Sequence, residues 1–344
     1  MFFRSRKLTI VSAIAAITMA AAGAVFAQST SAPMPLPPTV ERGRVPRVAP
    51  PVRIWNEDHE RAIKTDANIN LSLCVLQGDV KVNGWNRNEV RILVTNGRNF
   101  TFKVQQKSAR SGDPVWIMAV AEAANKEQAG PISECLRGDE IEIDAPVNAT
   151  FNLKGQEVNT VVDGIRRVSV KNAGGDISVR NISDGVTAAT YRGDLTVEQS
   201  KGAMVLENTA GNILVFDAGP SEIGDIFKAK TTSGAISVQK IGHRQIEVNS
   251  ISGTVAYNGD ILSGGSYSFW TSNGSIKLSL PANSSGMLTA SYGYGSFNSE
   301  LPFKLNTETV TPGPVKSIIA TMGSGGDATL KLTTNNGSIS IKKQ

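Results

Sequence analysis

The chain has 344 residues, with 35 Lys and Arg against 30 Asp and Glu, two cysteines, two histidines and 6% aromatic residues. The near balance of charge and the sparse aromatics argue against a basic, aromatic-interleaved nucleic-acid surface, so no nucleic-acid partner is expected. Past the first 27 residues no segment is apolar enough to cross a bilayer, so no membrane span is expected in the mature chain.

The N-terminus carries Arg4, Arg6 and Lys7, then an apolar stretch from Leu8 to Ala24, then Val25-Phe26-Ala27 before polar Gln28-Ser29-Thr30. This is the layout of a secretory signal peptide cut after Ala27, with an uncleaved membrane anchor as the alternative, and it predicts export to the periplasm or cell surface. Three of the cations and none of the acids lie in that segment, so the remainder is only weakly basic. Residues 28–64 hold Pro33, Pro35, Pro37, Pro38, Pro46, Pro50 and Pro51 with Arg42, Arg44, Arg47 and Arg53, which read as an extended, basic linker.

From residue 65 to 158 the apolar residues alternate: Leu71 and Leu73, Val80 and Val82, Ile92 and Val94, Phe100 and Phe102, Ile141 and Ile143. Period-two alternation with Gly and Asn punctuation predicts half-buried strands. The outward Glu140, Glu142 and Asp144 read as a solvated face, and the stretch 114–128 as a helix or a strand followed by a loop. Cys74 and Cys135, an even pair in an exported chain, predict one disulfide. Closing that loop stabilises the fold by about 4 kcal/mol on the chain-entropy model.

From residue 159 to 344 the chain repeats. An apolar pair such as Val168 and Val170 precedes Gly175-Asp176-Ile177-Ser178-Val179; Ile246 and Val248 precede Gly253; Tyr267 and Phe269 precede Gly274; Leu330 and Leu332 precede Gly337. Gly193, Gly202, Gly211 and Gly234 head further copies, and Gly78 stands in the same relation to Val80 and Val82. Each apolar pair lies on one strand face, and Gly at the turn accepts a backbone a side chain would resist. One unit cannot bury its face alone, so copies must stack. The expected fold is all-β, a β-solenoid whose coils stack strands in parallel, with an antiparallel β-sandwich as the alternative.

The run Gly78-Asp79-Val80-Lys81-Val82-Asn83-Gly84-Trp85, the repeated Gly-Asp-Ile and Ser-Gly-x-Ile units, and Thr271-Ser272-Asn273-Gly274-Ser275-Ile276 with Leu280-Pro281 carry a resemblance. Over about residues 66–342 the sequence resembles the adhesin-like domains of unknown function found in exported bacterial proteins. The resemblance implies a non-catalytic envelope or surface β-repeat protein, with envelope polysaccharide or a surface protein as partner, and it supplies no catalytic residues. A carbohydrate-active enzyme on a β-helix and a purely structural spacer are the alternatives.

No catalytic, metal or cofactor set is expected. His59 and His243 stand apart and read as surface residues. Asp79, Asp176 and Asp194 follow turn glycines and read as turn stabilisers. Arg192-Gly193-Asp194 spells an integrin-binding tripeptide, but its Gly-Asp already belongs to the repeat. The aromatic cluster is different: Trp270 adjoins inward Phe269 and so lies on the other side of the strand or at its turn, close in sequence to Tyr292 and Tyr294. Trp270, Tyr292 and Tyr294 are therefore the expected binding site, with core burial as the alternative.

Overall fold

Apolar residues spaced two apart turn one face of each segment inward, and β-branched residues between Gly turns favour strands. The computed structural model describes residues 57–105, 113–122, 134–310 and 315–344, and within them only strands, turns and loops occur. The expected signal peptide and residues 28–56 of the expected linker lie outside the described residues.

The N-terminal part comprises β1 (His59–Lys64), β2 (Ile69–Trp85), β3 (Glu89–Thr95), β4 (Phe100–Gln105), β5 (Val115–Ala121), β6 (Leu136–Pro146) and β7 (Thr150–Asp163). Regular two-strand coils follow: β8 (Arg167–Gly174) with β9 (Ile177–Arg180), β10 (Val186–Arg192) with β11 (Leu195–Lys201), and β12 (Met204–Ala210) with β13 (Ile213–Gly219). The series continues with β14 (Ile226–Ser233) and β15 (Ile236–Ile241), β16 (Gln245–Ser252) and β17 (Val255–Asn258), β18 (Ser266–Asn273) and β19 (Ile276–Leu280). The C-terminal part is β20 (Gly286–Tyr294), β21 (Phe297–Ser299), β22 (Phe303–Val310), β23 (Lys316–Met322), β24 (Thr329–Asn336) and β25 (Ile339–Lys343).

Two parallel sheets result, joined at their edges by the turns of each coil. The first runs β5, β2, β7, β8, β10, β12, β14, β16, β18, β24, β20. The second runs β6, β2, β7, β9, β11, β13, β15, β17, β19, β25, β21. The long strands β2 and β7 pass through both. This is the expected solenoid, not a sandwich of antiparallel sheets. The inward Val168, Val170, Ile177, Ile246, Val255, Phe269, Ile276 and Leu332 are buried in one continuous core.

Three details differ from the expected organisation, and the stretch 114–128 takes one of its two expected forms. The boundary between 158 and 159 falls inside β7, so β2, β5, β6 and β7 belong to the same solenoid. The last six residues of the expected linker form β1, which pairs antiparallel with β3. Within 114–128, residues 115–121 are strand, and 123–133 lie outside the described residues. Finally, coil order departs from chain order at both ends: β2 slots between the β5/β6 layer and β7, and β24/β25 slots between β18/β19 and β20/β21. Antiparallel β4, β3 and β23 lie beyond those layers and occupy ladder edges that would otherwise stand open.

One corner carries the expected turn glycines in a column. A Cβ built on Gly193 would overlap the carbonyl oxygen of Gly175, and the same holds for Gly211 on Gly193, Gly234 on Gly211, Gly253 on Gly234, Gly274 on Gly253 and Gly337 on Gly274. Gly78 meets Gly138 in the same way. The obstacle in each case is backbone, which cannot swing aside. Gly202 belongs elsewhere: it sits beside Asp184 and Gly185 at another turn, so the nine-residue step through Gly193, Gly202 and Gly211 is half a coil.

A second column, absent from the sequence reading, supports the first. Three residues before Gly193, Gly211, Gly253, Gly274 and Gly337 stands a small buried polar residue. Thr190 Oγ1 donates to Gly175 O at 3.2 Å, Asn208 Nδ2 to Gly193 O at 2.6 Å, Ser250 Oγ to Gly234 O at 3.1 Å, Thr271 Oγ1 to Gly253 O at 3.0 Å and Thr334 Oγ1 to Gly274 O at 2.9 Å. Each bond contributes about 1 kcal/mol net, and losing one would leave a buried acceptor unpaired at about 1–3 kcal/mol. At a further corner, Asn181, Gln199, Asp217 and Lys240 take left-handed φ of 55°, 46°, 56° and 51° at stacked positions, so this turn is made without glycine.

The disulfide forms as expected between Cys74 and Cys135, 61 residues apart. Gly253→Ala is expected to cost about 3 kcal/mol or more, because the methyl group meets the Gly234 carbonyl. Gly219→Ala, at a position with no atom near the added Cβ, is expected to change stability by less than about 1 kcal/mol. Urea denaturation of the two variants beside wild type checks both values.

Candidate functional site

Inward positions belong to the core, so any recognition surface is built from outward ones. Parallel stacking in register lines these up across strands. On the first sheet one such row is Lys154, Lys171, Ala189, Glu207, Lys230, Asn249, Trp270 and Thr333, each the Cα partner of the next.

Trp270 is outward and half-buried, as the inward Phe269 requires. Its strand neighbours on the same face are Ser268 and Ser272, and its cross-strand neighbours are Asn249 and Thr333. The surroundings are thus short and polar. Asn335 Nδ2 donates to Ser272 Oγ at 3.2 Å, and Asn249 Nδ2 to Glu247 Oε1 at 2.7 Å. Tyr294 is 70% exposed at the end of β20, opposite Asn336.

Tyr292 corrects the expectation: only 7% of it is exposed. It occupies in β20 the inward position held by Thr334 in β24, three residues before a turn glycine, and so points into the core. There its ring stacks on Phe297 at 6.4 Å, with Lys316 Nζ 5.8 Å from its centre. Trp270 and Tyr294 remain on the surface, two strands apart.

Tyr191 escaped the sequence reading, which passed over it to the tripeptide that follows. It is 60% exposed on β10, beside a cleft of about 270 Å³ lined by Lys171, Ala189, Glu207, Lys230 and Thr232. The signal was available: Tyr191 adjoins a Thr at the inward polar position, so it must face out. Farther along the same face a groove of about 790 Å³ lies over the disulfide, between Trp116 and Met118 on one side and Lys154 and Lys171 on the other. Lys171 borders both spaces.

The remaining candidates are occupied by structure. Asp194 N–H donates to the Asp176 carboxylate at 2.8 Å, Asn212 N–H to Asp194 at 2.7 Å, and Asn159 Nδ2 to Asp79 at 2.9 Å, which gives these acids the turn-stabilising role expected. Arg192 pairs with Glu157 at 3.2 Å. Asp144 accepts from Arg91 at 2.9 Å. His243 is not a surface residue but fully buried, with Nε2 2.9 Å from Gly202 O, its ring 5.9 Å from Phe227, and no partner for Nδ1 among the described residues. It lies in a turn between β15 and β16, where no periodicity marks burial. Nearby Asp225 has its carboxyl held below the usual range, chiefly by the N–H of Glu222.

Stacked coils, one glycine-lined corner and two parallel sheets define this chain as a β-solenoid with capped ends. It belongs to the Toastrack DUF4097 family, whose model matches residues 61–342. No curated protein matches the sequence. Three solved structures are similar at low identity. One, of a candidate cell adhesion protein from Clostridium sporogenes ATCC 15579, is 12% identical over 84% of this chain and 100% of its own, with a TM-score of 0.19. Another, of a candidate adhesin from Bacteroides fragilis NCTC 9343, is 12% identical over 84% and 97%, with a TM-score of 0.35. A third, of a candidate lipid binding protein from Parabacteroides distasonis ATCC 8503, is 11% identical over 85% and 98%, with a TM-score of 0.32.

Burial pushes the His243 pKa down, against weaker opposing effects of the Gly202 carbonyl and Asp225. The folded state therefore resists a proton that the unfolded chain accepts near pH 6.5. Stability is full above that pH and falls below it, by at most about 1.4 kcal/mol per unit. Thermal melts from pH 7.5 to 5.5 are expected to show this loss, and His243→Asn is expected to flatten it.

Proposed function

We propose that this chain is a non-catalytic, exported cell-envelope protein that binds a polymer or a surface protein along the outer face of its first sheet, with Trp270 and Tyr294 as contacts. The observation that carries the reading is the setting of Trp270: a large aromatic ring, outward on a sheet, among serine, threonine and asparagine side chains. An aromatic left partly wet on a β surface costs solubility unless a partner covers it. A flat ring bordered by hydroxyl and amide groups offers a partner such as a sugar both an apolar face and hydrogen bonds. The regular rows extend that offer along the solenoid, which suits an elongated ligand. Export is read from Arg4 to Ala27, and the engagement of Asp176 and Asp194 in turns supports a structural role for those acids.

Trp270→Ala is expected to weaken binding to envelope polysaccharide or to whole cells of the native host at least several-fold. Its melting temperature should stay within a few degrees of wild type, as for other surface substitutions. A pull-down of envelope fractions beside a thermal melt measures both. Equal binding by the variant removes Trp270 from the site, and turnover of a glycan by the wild-type protein contradicts the non-catalytic reading.

A further inference from the structure

The outward row that leads to Trp270 is charged along most of its length. Lys154 on β7 and Lys171 on β8 are direct cross-strand partners, and no acid stands between them. Like charges placed directly opposite destabilise a sheet. Neither lysine, nor Lys230 on β14, has a carboxylate within ion-pair distance among the described residues, whereas Lys228 on the adjacent row is paired with Glu247 at 3.2 Å. Among the described residues none of these three side chains forms an ion pair, although Lys230 stands directly across from Glu207. Glu207 is the one acid in the row, between Ala189 and Lys230.

The row is also long and bordered by rings. At about 4.8 Å per strand, Lys171 to Lys230 spans about 14 Å, and Lys230 to Trp270 a further 10 Å or so. Tyr191 stands beside its middle, over the cleft that Lys171, Glu207 and Lys230 line. A small anion could bridge Lys154 and Lys171 but not reach Lys230 and Trp270 as well, so the ligand complementary to the whole row is a chain with repeated negative charge.

We propose that this row is the binding track for an acidic polysaccharide, a polymer of carboxylated sugars, with Lys154, Lys171 and Lys230 pairing its carboxylates and Tyr191 and Trp270 stacking on its rings. This rests on the reading of the first sheet's outer face as the binding surface and adds the class of ligand. The short hydroxyl and amide side chains around Trp270 match sugar hydroxyls.

The test is biolayer interferometry of the purified protein on immobilised polygalacturonate, neutral dextran and single-stranded DNA at physiological salt. Wild type is expected to bind polygalacturonate more tightly than either other polymer, with affinity falling as salt rises. Lys171→Glu/Lys230→Glu is expected to weaken that binding about tenfold, and Tyr191→Ala several-fold, with melting temperatures unchanged. Equal affinity of the lysine variant for polygalacturonate, or equal affinity of wild type for single-stranded DNA, overturns the proposal. Binding to dextran alone, lost in Trp270→Ala, also overturns it but leaves the broader reading standing. No retention on either glycan overturns it as well, and the broader reading then depends on the envelope pull-down.

Discussion

The structure depends on one close approach: the turn glycine of each coil lies against the carbonyl oxygen of the turn glycine in the coil before it. No side chain fits there, and the carbonyl is taken up by a hydroxyl or amide from the next coil's inward Thr, Ser or Asn. The approach fixes axial register, because slipping by one residue would put a Cβ into backbone and turn every apolar residue outward. Stability then accumulates coil by coil, as in other solenoids, and the two end layers, each with a coil neighbour on one side only, are where it would be lost first.

Register fixed in this way has a consequence for recognition. Equivalent outward positions form straight rows, so a side chain of one type recurring along a row becomes an extended surface. The two sheets use this differently. The second presents Leu214 and Phe216, with Lys240 over the Phe216 ring at 5.1 Å, and a shallow groove around Ala256. The first presents Lys154, Lys171 and Lys230, without ion pairs among the described residues, beside Tyr191 and Trp270. That asymmetry, rather than any convergent set of acids, distinguishes the faces chemically.

Much of this was legible in the sequence. Alternation such as Val168 and Val170 before Gly175 gave the strands, their inward faces and the glycine corner, and the two cysteines gave the disulfide. The inward position three residues before the turn glycine was legible too, as Thr, Ser or Asn in most coils, and it would have assigned Tyr292, three before Gly295, to the core. Other features had no local signature. The slotting of β24 between β18 and β20 joins segments far apart in the chain, and His243 is buried by a turn and by Phe227 rather than by periodicity. The lysine track joins residues from β7, β8 and β14, which only register brings into line.

Hydroxyl-radical footprinting of the protein with envelope polysaccharide from its native host, read residue by residue by mass spectrometry, tests the central claim most directly. Protection is expected at Trp270 and Tyr191 on the first sheet, with Leu214 and Phe216 on the second unchanged. Protection confined to Leu214 and Phe216, or none at any of the four under saturating polymer, would contradict the assignment of the first sheet as the binding face.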